Sequence, residues 1–112
     1  MIIFLYKVNG NMTSKIEHTL KLLKKYKPEK IILFGSHARG SSDPYSDIDL
    51  VIIKKTKKLF LDRIKDVIKI IQPNFAIDIL VYTPEEFKKM LSDGNSFLDF
   101  VVKKGKIIYE RP

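Results

Sequence analysis

Apolar residues recur along this chain with two different spacings. Ile16, Leu20 and Leu23 follow the i, i+4, i+7 spacing of one buried helix face, and Pro28 follows them, which predicts a helix over about 15–26. Residues 31–34, in contrast, form a continuous apolar run that ends at a glycine. Such a run is typical of a strand that is covered on both faces.

The same two patterns alternate through the rest of the chain. Further strands are predicted over about 48–53, 75–82 and 107–109, and further helices over about 84–91 and 96–103. Between the second and third strands, a helix that ends before Pro73 is predicted to bury the face formed by Leu61, Ile64, Ile68 and Ile71. Thr83 and Glu86 form a capping-box pattern. This alternation predicts an α/β (α+β) fold.

The composition predicts one domain, 1–112, with a modest core. Hydrophobic residues make up 45% of the chain and charged residues 30%. Residues 1–11 are expected to be an N-terminal extension or an added edge strand. Their apolar run is much shorter than the roughly 18 residues of a membrane span, so we expect no membrane insertion. Because the chain has no cysteine, it suits the cytoplasm, and any metal must be held by oxygen or imidazole.

The charge balance is strongly basic, with a formal net charge of +8 at pH 7. Such an excess favours association with polyanions or with an acidic protein surface. The lysines occur in clusters that are typical of solvated faces and helix ends, with few aromatic residues between them. We therefore expect that nucleic acid is not required as a partner.

The segment 35–50 carries the chemistry, because a glycine-rich turn precedes two alternating carboxylates. Gly35 and Ser36 lie where a strand leads into a helix, a place that favours phosphate binding. Arg39 is interpreted either as a forked donor to the same phosphates or as one half of a structural salt bridge. His37 is expected to be an exposed turn residue without a catalytic role.

Asp47 and Asp49 are two residues apart at the start of a strand, so their side chains leave the same face. Oxygen ligands in such a place favour Mg²⁺ or Mn²⁺, and two ions about 3.5–4 Å apart would support in-line nucleotidyl transfer. The alternative is that both aspartates are simply solvated. Asp78 lies within an apolar strand, where a buried charge needs compensation, either from a Lys or Arg or from a shared cation.

Taken together, these residues resemble the minimal nucleotidyltransferases of the DNA polymerase β superfamily. The resemblance is carried by Gly35-Ser36, Gly40, Ser46-Asp47-Ile48-Asp49-Leu50 and Asp78. It implies a polymerase β-like fold, a small mixed sheet with helices packed against it. It also implies two Mg²⁺ ions on Asp47 and Asp49, with Asp78 binding the catalytic one. The phosphate-binding residues implied are Gly35, Ser36, Arg39 and Ser46.

The resemblance also bears on the second substrate. Larger members carry further domains that hold it, so a partner protein is expected to supply that surface here. Minimal members are similar to the antitoxins of two-gene modules whose toxin is a HEPN ribonuclease. This implies AMP transfer from ATP to a toxin tyrosine, within a homo- or hetero-oligomer. The alternatives are a non-catalytic nucleotide-binding module that neutralises its partner stoichiometrically, and a transferase acting on a small molecule or an RNA end.

Overall fold

The computed structural model describes residues 14–40 and 47–112, so the predicted N-terminal extension lies outside the described residues. The elements are α1 (Ser14–Leu23), continued by a 3₁₀ turn (Lys24–Tyr26), β1 (Lys30–Phe34), α2 (Ser36–Arg39), β2 (Ile48–Ile53), α3 (Phe60–Ile71), β3 (Ile77–Tyr82), α4 (Pro84–Ser92), α5 (Ser96–Lys104) and β4 (Lys106–Glu110). The predicted strands and helices of this part of the chain are all present. Among these helices, none has the length and apolar character needed to cross a membrane.

The four strands form one mixed sheet in the order β3-β2-β1-β4. The strands β2 and β3 are parallel, whereas β1 runs antiparallel to both β2 and β4. Helices cover both faces, as the two separate groups of buried residues show. Ile31 and Leu33 of β1 pack with α1 and α3, whereas Ile32 and Phe34 pack with α4 and α5. The mixed sheet with helices packed against it confirms the predicted fold class.

The prediction for the buried face of α3 is partly wrong. Leu61 and Ile68 are 68% and 37% exposed, whereas Arg63, Val67 and Ile71 are buried. The predicted face contained only apolar residues, whereas the observed face contains the charged Arg63. Burial of Arg63 is possible because its guanidinium group donates to the carbonyl oxygens of Lys58 and Val81 and to a carboxylate.

That carboxylate belongs to Glu86, which joins three elements of the fold. Both of its oxygens accept hydrogen bonds from Arg63, at 2.7 and 3.2 Å. Glu86 Oε1 also accepts from the backbone N–H of Thr83, and the Thr83 hydroxyl accepts from the N–H of Glu86. The predicted capping box is thereby confirmed. The hydrogen bond from Arg63 is the main reason that the pKa of Glu86 is lowered.

Gly105 ends α5 and lets β4 begin immediately afterwards. A Cβ atom at this position would overlap the Val101 carbonyl oxygen and press on Ile32 Cγ2 and the Leu33 carbonyl oxygen. The absence of a side chain therefore allows the end of α5 to lie directly on β1. This contact holds α5 over the end of β1 from which the glycine-rich turn departs.

We expect Glu86→Ala to lower the free energy of unfolding by about 2–3 kcal/mol, because it leaves the buried Arg63 guanidinium without its counter-ion and removes the Glu86 half of the capping box. Glu85→Ala, a change at the exposed neighbouring position, should cost less than about 1 kcal/mol. Chemical denaturation at pH 7 measures both.

The difference between the wild type and Glu86→Ala should also depend on pH. Because the pKa of Glu86 is lowered in the folded state, its stabilising effect is present above the unfolded pKa of about 4.3 and is lost as the pH falls through the folded pKa. An equal difference at pH 7 and at strongly acidic pH would contradict this account.

Candidate active site

Two of the predicted carboxylates meet at one end of the sheet. Asp49 on β2 and Asp78 on β3 are direct partners in the parallel register, so their side chains leave the same face of the sheet. The two carboxyl groups are close enough for a hydrogen bond when Asp49 is protonated. Asp47 lies just before β2 and is exposed. Its charge acts on Asp49.

The pKa of Asp49 is raised to about 6 by this environment. Burial is the largest cause, followed by the hydrogen bond and the negative charge of Asp78 and then by the charge of Asp47. The positive charge of Arg39 has the opposite effect, because it lowers the pKa of Asp49. The site thus concentrates negative charge that a bound cation would relieve.

The structure corrects the sequence argument about Asp78, which treated this residue as buried. Asp78 is exposed, because β3 begins at Ile77 and Asp78 is therefore at the end of the sheet rather than in its interior. Within the described ranges no Lys or Arg forms an ion pair with it, and its contact is with Asp49. Because Asp78 is exposed, its charge requires neither of the two compensations that the sequence predicted.

The glycine-rich turn lies directly against these carboxylates. Gly35 has φ of 76°, and a Cβ atom there would overlap the Asp49 carboxylate. Only glycine allows both the left-handed conformation and this close approach. The following helix, α2, spans only four residues and ends at Gly40, which has φ of 73°. The backbone of the turn and the carboxylates are thus adjacent.

The side chains of this turn differ in their exposure to solvent. Arg39 is exposed, and Ser36 is the first residue of α2. His37, predicted to be exposed, is only 5% exposed, so that prediction is wrong. It turns inward because α2 packs on the sheet, next to the buried Ala38. Ser46 lies outside the described residues.

An aromatic pair borders the site, and the sequence argument did not identify it. Phe34, the last residue of β1, is the direct antiparallel partner of Asp49. The ring of Phe97, at the start of α5, meets the Phe34 ring edge-on with centroids 5.5 Å apart. The only signal in the sequence was that Phe97 lies within the predicted helix over about 96–103, which did not indicate the position of this helix relative to β1.

The carboxylates of Asp49 and Asp78 fit a divalent cation of the Mg²⁺ type, because they offer oxygen ligands from neighbouring positions on two paired strands. Across 14–40 and 47–112, no group of three or more His, Cys, Asp or Glu side chains is gathered closely enough to hold a metal ion. Asp47 therefore stays outside the pair formed by Asp49 and Asp78. Its position before β2 leaves its exposed side chain free of the constraints of the sheet.

Comparison with known proteins identifies the class to which this fold and site belong. Residues 15–108 match the family model described as "Nucleotidyltransferase domain". The chain therefore belongs to the nucleotidyltransferase domain family.

Two relatives come from Methanocaldococcus jannaschii. One, named "Putative protein adenylyltransferase MJ1305", is 35% identical over 85 residues, which cover 72% of this chain and 58% of the relative. The chain thus spans less than two thirds of that relative's length. The other, "Putative protein adenylyltransferase MJ0141", is 38% identical over 82 residues, which cover 72% of this chain and 79% of the relative.

Two solved structures share the fold. The first is described as a "Crystal structure of the toxin-antitoxin with AMP-PNP"; its TM-score is 0.57 at 19% identity, covering 88% of this chain and 75% of that one. The second is described as a putative nucleotidyltransferase from Sulfolobus solfataricus; its TM-score is 0.52 at 26% identity, covering 92% and 93%. These similarities support the fold class.

We expect Asp49→Asn to stabilise the metal-free protein by about 1 kcal/mol at pH 7, because it removes a partly solvated charge that is disfavoured by burial and by the neighbouring Asp78 and Asp47. The pKa of Asp49 is raised in the folded state, so its contribution to stability falls as the pH rises from the unfolded value of about 3.9 through about 6.

The stabilisation by Asp49→Asn should consequently disappear below about pH 4. Denaturant titrations at pH 7 and pH 4 in the presence of a chelator measure the effect. Asp93→Asn, at an exposed position, is the matched control and should change little. Destabilisation by Asp49→Asn at pH 7 would show that the repulsion is compensated in some other way.

Proposed function

We propose that this protein is an Mg²⁺-dependent nucleotidyltransferase that transfers AMP from ATP to a hydroxyl group of a partner protein. The observation that carries the proposal is the contact between Asp49 and Asp78 beside the Gly35 turn. The printed names of the two archaeal relatives support a protein as the acceptor. The match covers 58% of one relative and 79% of the other, so we propose a protein acceptor and do not transfer it from their names.

In this proposal, Asp49 and Asp78 form the core of a site for two Mg²⁺ ions, with Mn²⁺ as a substitute. The exposed side chain of Asp47, which lies outside their pair in the structure, would turn towards them when the ions bind. The bound ions would lower the pKa of the attacking hydroxyl and neutralise the charge of the leaving pyrophosphate. The pKa of Asp49, raised first by burial and then by Asp78 and Asp47, supports this role, because bound cations would stabilise the ionised carboxylate.

The remaining residues of the site would orient the donor. Gly35 allows the triphosphate to approach the backbone of the turn, and Ser36, Arg39 and Ser46 would donate hydrogen bonds to phosphate oxygens. Asp78 would accept the proton of the acceptor hydroxyl. The hydroxyl oxygen then forms a bond to the α-phosphorus as the bond to pyrophosphate breaks, which yields an AMP ester and free pyrophosphate.

For the partner, we propose a HEPN-type ribonuclease toxin that is modified on a tyrosine hydroxyl, with this protein as its antitoxin. The motif resemblance supports this choice, and a structure described as a toxin-antitoxin has the same fold. A net charge of +8 suits docking on an acidic surface. The cytoplasm is the proposed compartment, since ATP is available there and the chain has no cysteine to form a disulfide.

We expect Asp47→Asn, Asp49→Asn and Asp78→Asn each to reduce AMP transfer at least about 100-fold, because each removes an anionic ligand from the proposed cation site. The assay incubates the protein with Mg²⁺, ATP labelled at the α-phosphate and the HEPN-type protein encoded next to it, and follows label on the protein acceptor. Asp93→Asn should retain full transfer. A chelator should abolish transfer by the wild type.

The same variants separate catalysis from simple binding. If the aspartate variants still neutralise the toxin at an equimolar dose, the protein acts as a stoichiometric binding module. If label appears only on RNA ends or on a small hydroxyl compound, the acceptor class is wrong. Failure of a folded, ATP-binding wild type to label the protein partner would count against protein adenylylation.

A further inference from the structure

We propose that the aromatic pair Phe34 and Phe97 binds the nucleobase of the donor nucleotide, with Phe97 providing the exposed ring surface. This inference rests on the proposed function and adds a substrate contact to it. The ligand class is a planar purine base that is joined through a ribose to phosphates on the Gly35 turn.

The first argument is position. Asp78, Asp49 and Phe34 are successive neighbours across β3, β2 and β1, and register partners share a face of the sheet. Phe34 is the last of these three neighbours, and Phe97 packs on it with an interplanar angle of 81°. The exposed aromatic surface and the carboxylates therefore lie on one face at one end of the sheet.

The second argument is the geometry of in-line transfer, in which the attacking and leaving groups lie on opposite sides of the α-phosphorus. The Gly35 turn follows β1, so pyrophosphate held there would leave on the β1 side of Asp49. The acceptor must then approach from the β3 side, where Asp78 is exposed. The aromatic pair is thus on the donor side, which favours the base over a ring of the acceptor protein.

The third argument is exposure. Phe97 is 36% exposed although its helix buries Leu98 and Val101 completely. A partly exposed aromatic side chain beside a charged site offers a stacking surface. Stacking of a base on an aromatic ring contributes substantially to binding and does not depend on which hydrogen-bonding groups the base carries. The fixed position of Phe97 on Phe34 lowers the entropic cost of such stacking.

Tryptophan fluorescence provides a direct test, because the natural chain has no tryptophan. In Phe97→Trp, the single indole should be quenched by ATP in a saturable manner and should not respond to tripolyphosphate, which lacks a base. Phe100→Trp is the matched control, since Phe100 is on the same helix and is 41% exposed. It should show little quenching by ATP.

Affinity measurements complete the test. Phe97→Ala should weaken ATP binding about tenfold and leave tripolyphosphate binding unchanged, whereas Phe97→Tyr should retain ATP affinity. Thermal melts confirm that each variant is folded, and the tyrosine variant covers the case in which truncation unfolds the chain.

The outcomes separate this inference from the proposed function. ATP affinity unchanged in a folded Phe97→Ala, an indole at position 97 that ATP does not quench, or a loss confined to the KM for the acceptor would each overturn the inference and leave nucleotidyl transfer intact. A wild type that binds neither ATP nor tripolyphosphate would overturn the proposed function, and the inference with it.

Discussion

Repulsion between neighbouring carboxylates is the constraint around which this protein is organised. Asp49 and Asp78 are held side by side by the parallel pairing of β2 and β3, and Asp78 makes the ionisation of Asp49 more costly. The rest of β2 compensates, because its apolar side chains are almost completely buried. The core thus stabilises an arrangement that would be unfavourable on its own, as is expected at a site that binds cations.

Register is the property that this arrangement requires. A slip of one residue between β2 and β3 would move Asp78 to the opposite face of the sheet, away from Asp49. The far end of β3 opposes such a slip, because Arg63 of α3 donates to the Val81 carbonyl oxygen and to Glu86 of α4. A buried charge network at one end of the sheet therefore helps to hold the carboxylates in position at the other.

The family match identifies the class of protein, and the site geometry suggests how the substrates would be arranged. Membership of the nucleotidyltransferase domain family rests on a match over most of the chain, and the solved structures share its fold. The proposed mechanism assigns the Gly35 turn and the aromatic pair to the donor nucleotide, and Asp78 to the acceptor. Between them lies Asp49, at the centre of the sheet edge where transfer is proposed.

The sequence by itself determined the strands, the helices and the glycine turn before Asp47 and Asp49, because these are local patterns. The pairing of Asp49 with Asp78 required the parallel register of β2 and β3, which is a tertiary property. Tertiary structure alone decided which face of α3 is buried, since Arg63 donates to the Val81 carbonyl oxygen and to the Glu86 carboxylate, which are 18 and 23 residues away. It also decided that Asp78 is exposed and His37 is buried. These properties, like the contact between Phe34 and Phe97, depend on where strands end and how helices cross the sheet, which no local pattern encodes.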